Sequence, residues 1–139
     1  MHLALHAVLD GSNPKLSGLV FSDVEDDNIL SVSEIMSLNI PAELVVLSAC
    51  NTSTNQKGSH GLNSISRSFY FAGAKSTVGS LWSVPDKATQ NFMVLFYTHL
   101  KEQASVSKSL QLAKQDFRIK YKDSEVLDKK YIDSYNKKK

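Results

Sequence analysis

Cys50 and His6 are the two residues of this chain whose types and positions could support nucleophilic chemistry. Cys50 is the single cysteine and ends an apolar run that begins at Leu44, and His6 lies at the end of a second run that begins at Leu3. Each run is predicted to be a buried strand, because it is apolar on both faces. In an open α/β sheet, chemistry gathers beyond the carboxyl ends of the strands. We therefore expect the thiol and the imidazole to meet at one edge of a sheet.

A cysteine beside a histidine is suited to covalent catalysis. Only the thiolate attacks, and a neighbouring imidazole can lower the pKa of a thiol from about 8.5 and later protonate a leaving amine. The oxyanion would need N–H donors, for which the backbone amides of Cys50 and of the residue after His6 are available. Both residues also have a structural interpretation, since a cysteine often packs as a small hydrophobe and a histidine often lies at the border of a core without reacting.

A metal site fits the histidines less well. His2 and His6 are four residues apart, about 13 Å along an extended strand, so one zinc ion could not bind both at about 2.0–2.1 Å. The sequence contains no CxxC, HExxH, GxxxxGK[ST] or GxGxxG pattern. We therefore expect no metal and no cofactor.

Length and composition predict one domain, or part of one, and a cytoplasmic location. Hydrophobic residues make up 42% of the 139 positions, which is ordinary for a globular protein, and no apolar run is long enough to cross a bilayer. The formal net charge of +2 comes from the last 18 residues, so residues 1–121 are neutral and nucleic-acid binding is not expected. A lone cysteine and an N-terminus without a basic signal region favour a cytoplasmic location.

The apolar pattern predicts alternating strands and helices, which is typical of an α/β fold with right-handed parallel crossovers. Parallel strands are expected at 2–7, 44–49 and 76–82. A hairpin is expected from strands at 19–21 and 28–30, and a short helix over 33–38 should end before Pro41.

Three longer helices are predicted from apolar residues at helical spacing. Their buried faces would consist of Leu62, Ile65, Phe69 and Ala72, then of Ala88, Phe92, Leu95, Phe96 and His99, and finally of Val106, Leu110, Ala113 and Phe117. The first of these helices should end at Gly73, which is a suitable C′ residue. His99 is expected to pack in the core.

Several motifs resemble, in the same order, those of CHAT domains. Residues 2–6 resemble the HLATH segment of that family, residues 16–21 resemble LSGLVL, and residues 47–52 match its LSACNT box. Residues 72–78 and 81–84 match its AGARSVV and LWPV segments. The resemblance extends from about residue 2 to residue 117. It implies a caspase-like cysteine peptidase related to separase, from a family that is common in bacteria and frequently attached to helical repeats.

The resemblance also assigns roles to residues of the site. His6 would be the catalytic histidine, Cys50 the nucleophile and His2 structural, with backbone amides of Ala7 and Cys50 as the oxyanion hole. Separase-like members carry an acid after the Leu-Trp strand that binds a basic P1 side chain, and Asp86 occupies that position. Asp86 also stands just before an apolar-periodic helix, where the N-cap role is the favoured interpretation, and the two roles are compatible.

The fold that the resemblance implies is a caspase-like three-layer α/β/α structure with a mostly parallel sheet. We expect the N-terminal strands and the final strand of the family to be missing, residues 1–121 to form a partial CHAT-like domain, and residues 122–139 to be a charged, disordered tail. The family usually has glycine directly after the catalytic histidine, whereas this chain has Ala7.

Three functions are compatible with these features. The first is a cysteine endopeptidase with a Cys-His dyad that cuts protein or peptide substrates after a basic residue. The second is an inactive CHAT-like module that binds protein partners, and the third is a truncated fragment that does not fold alone. A helical-repeat domain of the TPR type, or an upstream chain, is the expected partner. We expect neither nucleic acid nor a membrane as a partner.

Overall fold

The structure is a computed structural model of the chain. It describes residues 1–10, 12–21, 28–48, 50–51, 60–80, 84–103 and 105–121. The chain divides into two compact units, Met1–Ser83 and Val84–Lys139, and each is treated separately below. None of the helices within the described ranges is long and apolar enough to cross a membrane. The predicted tail, 122–139, lies outside the described residues.

The first unit alternates strands and helices. Its strands are β1 (His2–Leu3), β2 (His6–Val8), β3 (Gly18–Val20), β4 (Ile29–Ser31), β5 (Val45–Leu47), β6 (Cys50–Asn51) and β7 (Thr77–Gly79). Its helices are α1 (Val32–Ser37) and α2 (His60–Phe71), with a 3-10 turn at Pro14–Leu16. One sheet is parallel with the order β1-β5-β7, and the other has the order β4-β3-β2-β6. The predicted mixed α/β class with parallel pairing is confirmed, and it agrees with a caspase-like fold of which some strands are not among the described residues.

Two chain segments run side by side from the first sheet into the second. β1 is followed by β2, and β5 is followed by β6. The partners in all four parallel pairs are separated by the same number of positions, and the pairs are His2 with Val46, Leu3 with Leu47, His6 with Cys50, and Ala7 with Asn51. One register is therefore kept across both sheets.

The predictions of single strands at 2–7 and 44–49 were wrong in one respect. The segment 2–7 contains β1 and most of β2, separated by residues 4–5, whereas in the segment 44–49 the described strand is β5 at 45–47 and β6 begins only at Cys50. Residue 49 lies outside the described residues. The interruption falls where the pair leaves one sheet and enters the other, in which β2 gains an antiparallel neighbour, β3. Apolar runs cannot reveal such a change of neighbours, because both halves of each run are apolar.

The predicted hairpin is confirmed as the antiparallel pair β3 and β4. Gly18 is required there, since a Cβ atom would lie only 2.5 Å from the backbone oxygen of Leu30 on the neighbouring strand. Residues 22–27, between the two strands, lie outside the described residues. The short helix α1 follows β4 directly and begins with a capping box. The N–H of Ser31 donates to Oε2 of Glu34 at 2.8 Å, and the N–H of Glu34 donates to Oγ of Ser31 at 3.3 Å. The hydrogen bonds from the Ser31 side chain and backbone lower the pKa of Glu34.

The helix α2 covers the core of the first unit and ends as the sequence predicts. Ile65 and Phe69 are buried in the same cluster as residues of β2, β3, α1 and β5. The N–H of Gly73 bonds Tyr70 O at 3.1 Å and the N–H of Ala74 bonds Phe69 O at 3.0 Å, which is a Schellman motif. Gly73 has a φ of 110°, a conformation that favours glycine. This turn directs the chain into β7.

The second unit is a pair of packed helices, α3 (Asp86–Glu102) and α4 (Val106–Tyr121). The predicted faces are confirmed as buried or half-buried, with Phe96 and Ala113 fully buried. Phe92 and Phe117 meet edge to face, with ring centroids 5.7 Å apart. His99 lies on this face as predicted, and its Nε2 is 2.7 Å from Oδ2 of Asp116 on the other helix. His99 is therefore partly buried, as predicted, and also bonds to Asp116, a contact that the apolar pattern did not indicate.

Gly73→Ala is expected to destabilise the first unit by about 1–3 kcal/mol, because alanine would be held at an unfavourable positive φ. The added Cβ would also lie 3.3 Å from Ile40 O. Gly79→Ala is the matched control, since its Cβ would meet no atom closer than 3.6 Å and its φ is not positive. Urea unfolding of the three proteins measures the difference. An equal loss of stability in both variants would contradict the assigned role of Gly73.

Candidate active site

His6 and Cys50 are register partners on the neighbouring parallel strands β2 and β6. Neighbouring strands lie about 4.7–4.9 Å apart, so the two backbones are as close as adjacent strands allow. His6 is exposed. The two residues begin β2 and β6, whereas the sequence interpretation had them end the preceding strands. They lie just beyond the carboxyl ends of β1 and β5, which pair in the same register.

Ala7 occupies the centre of the second sheet. It is fully buried and pairs with Leu19 of β3 on one side and with Asn51 of β6 on the other. An extended strand is a conformation that any residue adopts, so alanine is compatible with this position. The consequence concerns the backbone, because the N–H of a residue inside a sheet faces a neighbouring strand rather than an open cleft.

Asp86 belongs to the second unit, whereas His6 and Cys50 belong to the first. It is exposed and is the first residue of α3, and the N-cap position is taken by Pro85 without a side-chain capping bond. The N-cap interpretation of Asp86 was therefore wrong by one residue. The difference follows from Pro85, whose fixed φ suits the entry to a helix. A carboxylate in the first turn still interacts favourably with the helix dipole.

The connection that follows β2 is held by two polar side chains. Oδ1 of Asp10 accepts hydrogen bonds from the N–H groups of Ser12 and Asn13 at 2.8 and 2.9 Å. Oγ of the fully buried Ser17 accepts a hydrogen bond from the N–H of Asp10 at 3.0 Å. The Ser17 carbonyl accepts a further bond from Val32 at the start of α1. The turn residues predicted this connection, but nothing in the sequence pattern indicated Ser17.

Ser48 and His2 form a second polar contact close to the site. Nε2 of His2 lies 2.9 Å from Oγ of Ser48, and the backbone N–H of Ser48 donates to Leu3 O at 2.9 Å. Partial burial, followed by the positive charge of the N-terminus, lowers the pKa of His2. The side chain of His2 thus bonds to the segment that leads into Cys50. Within the described ranges, no three His, Cys, Asp or Glu residues are grouped so that they could hold a metal ion.

Comparison with known proteins identifies the family. The family model described as "CHAT domain" matches residues 1–132, which is most of the chain. The chain belongs to the CHAT domain family. This confirms the resemblance that the histidine, cysteine and Leu-Trp segments carry.

Two curated relatives share part of this CHAT domain. Tetratricopeptide repeat protein 28 of Homo sapiens is 32% identical over 82 residues, which cover 59% of this chain and 3% of that protein. The protein of the same name from Mus musculus has the same identity and coverage. The match therefore spans a small fraction of the length of these relatives. No solved structure matches the chain.

Ser17→Ala is expected to lower the free energy of unfolding by about 1–3 kcal/mol, because the half-buried N–H of Asp10 would lose its acceptor. Ser109→Ala is the matched control. Ser109 is also fully buried, but its hydroxyl donates to Ser105 O, which also accepts the N–H of Ser109, so no partner is left unsatisfied. Chemical denaturation should show a change within about 0.5 kcal/mol for the control. An equal loss of unfolding free energy in both variants would mean that the bond from Asp10 to Ser17 does not stabilise the fold.

Proposed function

We propose that this CHAT domain is part of a cysteine-type endopeptidase in which Cys50 and His6 act as a catalytic dyad. The observation that carries the proposal is the register of β2 and β6, which makes the two residues Cα partners on adjacent parallel strands. Partners in register carry their side chains to the same face of a sheet. The caspase-like ancestry of the family supports the same chemistry.

The reaction would proceed through a thioester. His6 takes the proton of the Cys50 thiol, and the thiolate attacks the carbonyl carbon of the scissile peptide bond. The carbon–nitrogen bond then breaks, and the imidazolium of His6 protonates the leaving amine. In the second half, His6 removes a proton from water, the resulting hydroxide attacks the thioester, and the new carboxyl group leaves as the thiol is restored. Protons and bonds balance over the cycle, so no cofactor is needed.

The oxyanion requires backbone donors, and the amides of Cys50 and Ala7 are the proposed pair. Ala7 pairs with strands on both sides, so its N–H could bind an oxyanion only if it turned away from that pairing. Cys50 has a described partner on one side only, since β6 is the edge of its sheet within the described strands. We therefore assign the larger share of oxyanion binding to the Cys50 amide.

The substrate would be a protein or peptide with a basic P1 residue, and Asp86 is the proposed acid that binds it. Asp86 is exposed at the start of α3, where a substrate side chain could reach it. A helical-repeat domain is the proposed partner, because both curated relatives are named for tetratricopeptide repeats. In such an arrangement the repeats would supply the protein contacts and the CHAT domain the cleavage.

An inactive CHAT-like module that binds partners is the second candidate. The observation that favours it is the engagement of Ala7 in strand pairing on both sides, which removes one of the two proposed oxyanion donors. The two candidates make opposite predictions for the reactivity of Cys50.

The dyad predicts that a peptide acyloxymethyl ketone with arginine at P1 labels the complete chain at Cys50. His6→Ala should reduce the labelling rate by about 10³-fold, because the thiol loses its base. Cys50→Ser should abolish labelling, and thermal unfolding of each variant confirms that it is folded. Mass spectrometry identifies the labelled residue without ambiguity, since the chain has one cysteine. Labelling that is absent, or that is equal in the wild type and in His6→Ala, would favour the inactive module.

The specificity assignment predicts that Asp86→Asn lowers the labelling rate with an arginine probe by about 10- to 100-fold, which is the effect of removing one charge-assisted hydrogen bond. A norleucine probe should react at an unchanged rate. Asp116→Asn is the control, since it removes the same charge from α4, where Asp116 pairs with His99. The ratio of the two probe rates is the measurement. An unchanged ratio in Asp86→Asn would exclude Asp86 from P1 binding.

A further inference from the structure

The strand pair that carries the dyad has a junction between its two halves. β1 and β2 are separated by residues 4–5, and on the facing segment β5 ends at Leu47 and β6 begins at Cys50. A slip of one residue there would pair Cys50 with a neighbour of His6 and would turn its side chain to the opposite face. The register after the junction is nevertheless the same as before it.

Ser48 is the residue that connects the two segments inside this junction. Its backbone N–H donates to Leu3 O at 2.9 Å, a bond that almost any residue could make. Its Oγ is also bonded to Nε2 of His2 at 2.9 Å, and this bond depends on the two side chains. A hydroxyl can donate or accept, so either tautomer of a neutral imidazole completes the bond. The lowered pKa of His2 favours that neutral form at pH 7.

The position of this contact gives it a consequence for the site. Ser48 precedes Cys50 by two residues, and His2 precedes His6 by four on the facing strand. The bond between His2 and Ser48 therefore fixes the position of Cys50 along its strand relative to His6.

We propose that His2 and Ser48 are positioning residues, whose side-chain bond holds the segment leading into Cys50 in the register that places it beside His6. This inference rests on the proposed Cys50–His6 dyad. Neither residue touches the substrate in this account. Their effect is on the distance and orientation between thiol and imidazole, and therefore on the fraction of Cys50 that is thiolate at neutral pH.

The test is the rate at which iodoacetamide alkylates Cys50 in the complete, folded chain, measured from pH 5 to pH 10. Ser48→Val and Ser48→Thr form a matched pair, because both are β-branched and of similar size while only threonine keeps the hydroxyl. Ser48→Val should lower the alkylation rate at pH 7 by about 3- to 10-fold, the factor expected for one lost hydrogen bond. It should also move the midpoint of the pH profile upwards. Ser48→Thr should stay within about twofold of the wild type, since its hydroxyl can bind His2.

The partner residue provides a second set of variants. His2→Leu should reproduce the effect of Ser48→Val, and the double variant should be no worse than either single one, because both remove the same bond. His2→Leu also keeps the test decisive if Ser48→Val does not give a cooperative unfolding transition. Additive effects in the double variant would contradict the shared bond.

The outcomes separate this inference from the proposed function. If His6→Ala leaves the wild-type pH profile unchanged, the dyad itself is wrong. If His6→Ala shifts the profile but Ser48→Val and His2→Leu lower only the unfolding temperature, the dyad stands and the positioning role is overturned. We expect His6→Ala, Ser48→Val and His2→Leu each to shift the pH profile of Cys50 alkylation. Ser48→Thr should keep the profile of the wild type.

Discussion

The parallel register between residues 2–7 and 46–51 is the constraint on which the site depends. One offset relates the four described pairs between these two segments, so the contacts of β1 with β5 determine which residue of β6 lies beside His6. The remaining parts of the first unit support this pair. The parallel strand β7 lies on the other side of β5, and α2 reaches it through the Gly73 turn. The hairpin of β3 and β4 extends β2, and Ser17 closes the connection between them.

Much of this fold could be predicted from the sequence, because its strands and helices are strongly patterned. The order of elements, the crossover helix, the end of α2 at Gly73 and the buried faces of α3 and α4 all follow from apolar spacing and from turn chemistry. The division of the predicted strand at 2–7 into β1 and β2 could not be predicted, because it depends on a change of neighbouring strand and not on composition. Asp86 was predicted as the N-cap of α3 but is the first residue of the helix, because Pro85 takes the N-cap position.

In the candidate site, too, the features that depend on local sequence could be predicted, and those that depend on tertiary contacts could not. Cys50 and His6 could be singled out because each follows an apolar run, and because the motifs around them resemble the CHAT family, to which the chain belongs. The bond between His2 and Ser48 was not predictable, since it joins residues 46 positions apart and depends on the register itself. The same register that brings His6 beside Cys50 also engages Ala7 on both sides. In the proposed mechanism, Ala7 could therefore bind an oxyanion only by leaving this pairing, whereas Cys50 lies on β6, the edge strand of its sheet among the described strands.

The most direct test of the account is chemical bridging of a second thiol to Cys50. His6→Cys would place two thiols on register partners about 4.7–4.9 Å apart in the backbone, where a short bis-alkylating reagent can span them. His2→Cys is the control, because it is also exposed but pairs with Val46, and His2 and His6 are about 13 Å apart along a strand. The account predicts rapid intramolecular bridging in the folded His6→Cys chain and none in the control, as measured by mass spectrometry. Bridging that is no faster in His6→Cys than in His2→Cys would contradict the register and the dyad together.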